Sequence, residues 1–326
     1  MNELAESIKE EQPFFPPPLK EEITDQNMGD LKLESCLNII HKAAEKSDKT
    51  CIAFSGGSDS LVLLDIISKK TNLRPIVIWV DSQMEYPGTQ EYVEKIVSGY
   101  GLDLRIAKAK RTPVEQWAST GWPMLGKMAA RVWMQKNKNM GFAINMSECC
   151  RAMKITPGRQ LTRNLGCGLQ FTGQRGKRED RLQGYRNIED GAIVYQARDR
   201  MWIANPLTGW KDRKESEVKG YIEQNGLPQH PARARGAGSI GCVYCGGGSQ
   251  FTNSGYRALR QTWPEAWYRF MVTWGGGIII LALKYHQHIQ TIQDAVNELG
   301  GLASIAKWRP WVFDFTRRTP LPGYTK

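Results

Sequence analysis

The sequence predicts a doubly wound α/β fold with a mostly parallel sheet, and three observations carry that expectation. Short apolar, β-branched runs alternate with amphipathic segments from residue 31 onward. A glycine pair, Gly56-Gly57, separates the first such run from the helical segment after it. The second run ends in a carboxylate, Asp81, where an open α/β sheet presents its carboxyl edge to ligands. Strand, helix and strand in succession imply a right-handed parallel crossover.

The elements follow in order. Residues 1–30 hold eight acids against two lysines and the run Phe14-Phe15-Pro16-Pro17-Pro18, the composition of a flexible, extended N-terminal arm. Over residues 31–46, Leu31, Leu33, Cys36, Leu37, Ile39, Ile40 and Ala43 recur at helical spacing. Residues 50–54 read as a buried strand, 60–70 as a helix and 74–80 as a second strand. A helix over 91–100, a strand over 104–107 and a mostly helical stretch over 112–139, broken near Gly121 and Pro123, continue the alternation. Residues 169–172 read as a further strand. After Cys245 come glycine clusters and then five of the eleven tryptophans, so residues 251–326 are expected to form a helical, aromatic-rich C-terminal appendage to a domain of residues 31–250.

Composition narrows the function classes. With 326 residues and 41% apolar content the chain can bury a sizeable core. The longest uncharged apolar stretch, Phe270 to Leu283, contains three consecutive glycines and falls short of the roughly 18–20 residues that span a bilayer. No membrane span is expected, and the acidic, proline-containing N-terminus is unlike a secretory signal, which points to the cytoplasm. The net charge is +11, and residues 31–326 carry 42 basic against 25 acidic side chains, a net +17. Such a field attracts nucleotides and nucleic acids, although it also serves solubility. Four of the seven cysteines form two close pairs, which favours a metal site over disulfides.

The segment Ile52-Ala53-Phe54-Ser55-Gly56-Gly57-Ser58-Asp59-Ser60 has the makings of an anion cradle. Glycines let the backbone approach a phosphate, amides and hydroxyls donate to its oxygens, and the helix dipole favours negative charge. The plain alternative is a tight β–α connection capped by Ser58 or Asp59. Ser-Gly-Gly-x-Asp-Ser directly after a strand resembles the signature of the PP-loop ATP pyrophosphatases, of the adenine nucleotide alpha hydrolase-like fold. That resemblance implies that Ser55, Gly56, Gly57, Ser58, Asp59 and Ser60 hold the phosphates of ATP, bridged by Mg2+, with Ser58 and Asp59 needed for turnover. The segment Asp81 to Thr89 is similar to the Asp-Thr-Gly and Phe-Pro-Glu-Thr blocks of sulfonucleotide reductases, but departs at Ser82, Gln83, Tyr86 and Gly88. Asp81 is thus a candidate nucleotide contact, or simply a turn residue.

Cys242-Val243-Tyr244-Cys245 by itself suits a redox dithiol, half a zinc site or half a cluster site. The adjacent pair Cys149-Cys150 sits poorly on one zinc ion, whereas a cluster offers separate irons to separate thiolates. Glu148-Cys149-Cys150 through Lys154 and Pro157, and Ser239-Ile240-Gly241-Cys242 through Cys245, look like the two cysteine blocks of adenylyl-sulfate reductases. Thr172-Gly173-Gln174-Arg175, Glu179, Arg181, Asn205-Pro206-Leu207 and Leu227-Pro228-Gln229-His230-Pro231 follow in that family's order. The resemblance implies a [4Fe–4S] cluster on Cys149, Cys150, Cys242 and Cys245, with Lys154 near cluster and substrate. Residues 151–186 hold nine basic against two acidic side chains. Of these, Arg175, Lys177, Arg178 and Arg181 are placed to stand over nucleotide phosphates, or else to form a nucleic-acid patch or a solvated loop. Thr172 and Gly173 join them as candidate nucleotide contacts. Cys36 and Cys51 read as core, and Cys167 as a candidate sulfur carrier.

Two chemistries follow from the resemblance. Sulfonucleotide reductases use a cysteine in a C-terminal Glu-Cys-Gly-Leu-His motif, and this sequence has no cysteine after Cys245. The favoured expectation is therefore an ATP pyrophosphatase that adenylates a substrate for sulfur incorporation, in the style of DNA phosphorothioation proteins. Its partners would be DNA or RNA, a cysteine desulfurase or other sulfur donor, and further modification subunits. The tryptophans would stack on bases, or make ordinary core. The alternatives are a sulfonucleotide reductase and a subunit that only binds nucleotide.

Overall fold

The computed structural model describes residues 25–123, 131, 135, 145–175, 187–189, 192–210, 217–237, 240–245, 259–274 and 276. The amphipathic N-terminal segment forms α1 (Asp25–Ala44), which begins inside what the sequence assigns to the arm. Then come β1 (Thr50–Ala53), α2 (Ser58–Lys70), β2 (Ile76–Asp81), α3 (Thr89–Gly99) and β3 (Leu104–Lys108), each close to its predicted bounds. Helix α4 (Pro113–Thr120) starts at a capping box between Thr112 and Glu115 and stops at Gly121, whose φ of 109 suits glycine. Most of the remaining helix predicted up to residue 139 lies outside the described residues.

Helix α5 (Met146–Cys150) continues through a widened π turn, Arg151–Ile155, into α6 (Thr156–Asn164). Strand β4 (Leu169–Thr172) follows, then β5 (Asn187–Glu189), β6 (Ile193–Gln196) and β7 (Met201–Ala204). The last three were not foreseen, because runs of three or four residues in a polar stretch give too short an alternation to read. Helices α7 (Glu217–Gln224), α8 (Pro231–Ala234) and α9 (Pro264–Tyr268) follow, and α9 runs on into a second π turn, Arg269–Thr273.

The seven strands run in the order β3-β2-β1-β4-β7-β6-β5. All pairs from β3 to β7 are parallel, while β6 is antiparallel to both its neighbours. Alternate residues of one strand serve opposite faces. Ile52, Val77 and Trp79 enter the large core with α1, α2, α3 and α7, whereas Cys51 and Ile78 join Cys167 beneath Leu161 and Leu165. Each fully buried aliphatic side chain in such a core is worth about 1.5–3 kcal/mol. Within the helical layer, the wholly buried Asp65 accepts from Tyr100 (2.6 Å) and Tyr221 (2.8 Å) and pairs with Lys69 at 2.7 Å, so its charge is satisfied on three sides.

The described part of the C-terminal segment packs onto the domain. Trp267 and Phe270 are fully buried, and Phe270 stacks on Tyr244 at 5.0 Å and meets Trp117 edge-on at 6.1 Å. No described helix is long and apolar enough to cross a membrane.

Candidate active site

The phosphate loop sits at the carboxyl end of β1. Gly56 adopts φ +76, which an L side chain rarely takes, and lets the chain turn sharply into α2. The loop is braced from within. Ser60 Oγ–H donates to the Gly57 carbonyl (3.0 Å), Ser60 Oγ accepts from the Ser55 amide (3.3 Å), and Ser55 Oγ accepts from the Gly57 amide (3.3 Å). No side chain caps α2 at Gly57. Ser58 and Asp59 therefore do not play the capping role that a plain β–α turn would give them, and the N-terminal end of α2 stays available for an anion. Arg175 Nε lies 3.0 Å from Asp59 Oδ2. Gly173, at the end of β4, lies directly against this turn: a Cβ there would sit 2.9 Å from the Asp59 carbonyl carbon and the Ser60 nitrogen.

Asp81 ends β2, and its carboxylate accepts from the Gln83 amide at 2.8 Å. Gln83 itself has φ 61, one of two non-glycine residues with positive φ among the described residues. Asp81 thus holds a strained turn, as the turn reading allows. Thr172 donates its hydroxyl hydrogen to Asn205 at the β4–β7 edge. Arg178 and Arg181, with Lys177, lie outside the described residues.

The two cysteine pairs converge. Cys149 is buried and accepts from the Trp117 indole at 3.3 Å. Cys242 Sγ lies 3.5 Å from Ser82 Oγ, and the Cys245 thiol donates to the Pro123 carbonyl at 3.8 Å. Burial pushes the Cys149 thiol up to about 12; the Trp117 hydrogen bond opposes this, and the nearby Cys242, Cys150 and Cys245 reinforce it. Burial and Cys242 likewise raise Cys150, against the pull of Lys154. Four thiols that repel one another's charge are a donor set waiting for a cation. Among the described residues, no three His, Cys, Asp or Glu side chains are arranged to hold a single metal ion. Thiolates of this kind are the donors that zinc and iron–sulfur clusters both take.

Lys154 joins the two halves. It projects from the π turn that follows the cysteine pair, a widened turn of the kind common at functional sites. Its Nζ lies 3.6 Å from Glu85 Oε1. Burial disfavours its charge, but Cys242, Glu85 and Cys150 together outweigh burial and raise its pKa. Glu85 in turn accepts from Ser82 Oγ (2.6 Å) and from the Met84 amide (3.1 Å). A cavity of about 150 Å³ opens over β1 and β2, lined by Phe54, Ser55, Val80, Glu85, Lys154 and Gly241 among others. One lining thus reaches from the phosphate loop to the cysteine site.

Sequence reasoning missed three contributors. Trp117 carried no signal beyond helical spacing. Glu85 stood in a segment that departs from the family pattern, and Arg233 lay just past the Leu-Pro-Gln-His-Pro block. Cys36 and Cys51 are both core, as predicted, and Cys51 is hydrogen-bonded to Cys167 near the amino-terminal end of β1. That hydrogen bond lowers the Cys167 thiol below its usual range, with burial opposing it and Lys49 assisting.

Residues 49–247 match the model of the phosphoadenosine phosphosulfate reductase domain. The phosphoadenosine 5'-phosphosulfate reductase of Thiocapsa roseopersicina is 26% identical over 193 residues, covering 59% of this chain and 70% of the relative. The adenosine 5'-phosphosulfate reductase of Halalkalibacterium halodurans is 28% identical over 221 residues, covering 66% and 82%. Among solved structures, phosphoadenylyl-sulfate reductase from Candida auris in a phosphate complex aligns with TM-score 0.45 and 21% identity, covering 67% of this chain and 95% of that one. A U34-tRNA thiolase from Methanococcus maripaludis with its [4Fe-4S] cluster aligns at 0.39 and 15%, covering 76% and 78%. With the family model spanning well over half of its length, and the phosphate loop, both cysteine pairs and Lys154 all inside the match, the chain belongs to the phosphoadenosine phosphosulfate reductase domain family.

Proposed function

We propose that the chain is an adenine-nucleotide enzyme of sulfur chemistry, with the nucleotide held by the phosphate loop and its reactive group presented to Lys154 and the cysteine site. The observation that carries this reading is a cavity whose lining includes Ser55 of the phosphate loop together with Glu85, Lys154 and Gly241. In this reading Cys149, Cys150, Cys242 and Cys245 hold a [4Fe–4S] cluster. When bound, that cluster supplies a polarisable, redox-active centre beside the substrate. Lys154, charged and tethered by Glu85, neutralises the negative charge that develops on a leaving group. Arg175 and the amides at the start of α2 hold the phosphates, with Mg2+ when the ligand is ATP.

The curated relatives favour reduction of an adenylyl sulfate as the reaction. A second reading, ATP-dependent adenylation of a nucleic acid for sulfur incorporation, is supported by one sequence fact. Residues 31–326 carry a net +17, a field that draws polyanions such as nucleic acids. Anaerobically purified chain, given adenylyl sulfate or its 3'-phosphorylated form with thioredoxin, and separately ATP with DNA or tRNA, distinguishes them. Sulfite release supports the first reading, and nucleic-acid-dependent pyrophosphate release the second. Nucleotide binding with neither product would overturn the enzyme reading and leave a nucleotide-binding subunit. About four irons per chain are expected on the cluster reading, lost in Cys242→Ser and retained in Cys36→Ser. One zinc per chain would reassign the cysteines.

A further inference from the structure

Arg233 is the residue of the phosphate loop's surroundings that no motif announced. It lies on the four-residue helix α8, and its Nη2 donates to Ser58 Oγ at 3.4 Å. Ser58 is the first residue of α2, next to the Asp59 that pairs with Arg175. Two guanidinium groups therefore reach the same helix start from different parts of the chain, one from the segment after β4 and one from α8. Arg175 meets a carboxylate there, and Arg233 meets the Ser58 hydroxyl.

The backbone beneath Arg233 is held unusually firmly for so short a helix. His230, 2% exposed, caps it by accepting the Ala232 amide on Nδ1 (3.1 Å). That fixes the ring's proton on Nε2, which donates to Thr89 Oγ1 at 2.9 Å, and the Thr89 hydroxyl in turn donates to the Tyr86 carbonyl at 2.6 Å. Tyr92 donates to the Pro228 carbonyl (2.9 Å) and packs edge-on against the His230 ring at 4.9 Å. The same Tyr92 ring lies against Gly56 of the phosphate loop. Loop and helix are thus braced on one aromatic side chain. Ordering a long arginine side chain is entropically costly, and anchoring its backbone beforehand reduces what a ligand must supply.

We propose that Arg233 is a ligand-binding, specificity-determining residue: it takes the tetrahedral oxyanion that an adenine nucleotide carries beyond its α-phosphate, with Ser58 and the first amides of α2. That group is a β-phosphate in ATP and a sulfate in adenylyl sulfate, and the planar fork of an arginine suits either. The inference rests on the reading that the phosphate loop binds an adenine nucleotide. It adds that the chain selects nucleotides with such a group over AMP.

Equilibrium dialysis of ATP, adenylyl sulfate and AMP against the intact chain and its Arg233→Ala and Arg233→Lys variants tests this. At least a tenfold loss of affinity is expected in Arg233→Ala for ATP, adenylyl sulfate or both, with AMP within twofold of its original affinity. Arg233→Lys, which keeps the charge, should retain part of the binding. Loss for ATP alone assigns the site to phosphate, and loss for adenylyl sulfate alone assigns it to sulfate; either supports the proposal. Equal losses for AMP and the other two in both variants would make Arg233 a strut of the loop and overturn it, as would no loss at all. If the unsubstituted chain binds no adenine nucleotide, the underlying reading fails and the inference falls with it. If that chain binds and the variants bind alike, only the inference fails.

Discussion

Gly173 illustrates how much of this site depends on single atoms. It lies outside the glycine-rich loop in sequence, yet a Cβ on it would come within 2.9 Å of the backbone at Asp59 and Ser60. Backbone atoms at a helix start cannot swing aside as a flexible side chain can. Gly173→Ala should therefore displace the phosphate loop, costing about 1–3 kcal/mol of stability, as overpacking does elsewhere. The expected readouts are a lowered thermal midpoint and weaker nucleotide binding with unchanged iron content. Gly88→Ala makes a useful contrast, since a Cβ there meets nothing within 4 Å but must adopt φ +81. A nucleotide affinity unaffected by Gly173→Ala would show that the loop tolerates the shift.

At the scale of elements, the chain uses buried polar groups to fix where helices meet the sheet. Asp65 ties α2 to Tyr100 beyond α3 and to Tyr221 on α7. His230 ties α8 to Thr89 at the start of α3. Burial holds the His230 imidazole below its usual 6.5, and the Arg233 charge lowers it further. The unfolded chain therefore takes up this proton more readily than the folded one. The neutral ring's contribution to stability is fully present above about pH 6.5 and is lost as pH falls through the folded-state value. His230→Asn keeps a capping oxygen but removes the titration. The thermal midpoint of the unsubstituted chain should fall more between pH 7 and pH 5 than that of His230→Asn, and parallel curves would show that His230 does not titrate over this interval.

For the whole molecule, the dominant quantity is charge. Residues 31–326 carry a net +17, and several basic groups stand near aromatic rings: Arg235 lies 5.3 Å over Trp263, and Arg260 lies 5.4 Å over Trp267. On the nucleic-acid reading, the half-buried Trp263 with Arg235 would hold base and phosphate in turn, whereas Trp267 is fully buried and serves the core. Binding of single-stranded DNA or of tRNA should then weaken steeply between about 50 mM and 200 mM salt, as each phosphate contact releases counterions. Fluorescence anisotropy over that range measures the slope. Affinity too weak to detect even at the low-salt end would leave the charge to solubility and small anions and would count against the nucleic-acid reading.

The sequence by itself determined the order of the strands as far as β4, the place of the phosphate loop, and the presence of two close cysteine pairs. These are encoded locally. Alternation, a glycine pair after an apolar run and clustered thiols are visible within a dozen residues, because each reflects a backbone period or a short-range steric need. Only the tertiary structure decided the antiparallel extension β5–β7 and the early start of α1. It also decided the packing of Trp267 and Phe270 onto Trp117 and Tyr244, and the arrival of Arg233 at Ser58, 175 positions away in sequence. Such contacts join segments that are remote along the chain. What selects them is the shared burial of apolar faces and the need of buried polar groups such as Asp65 and His230 for partners, neither of which leaves a periodic mark on the sequence.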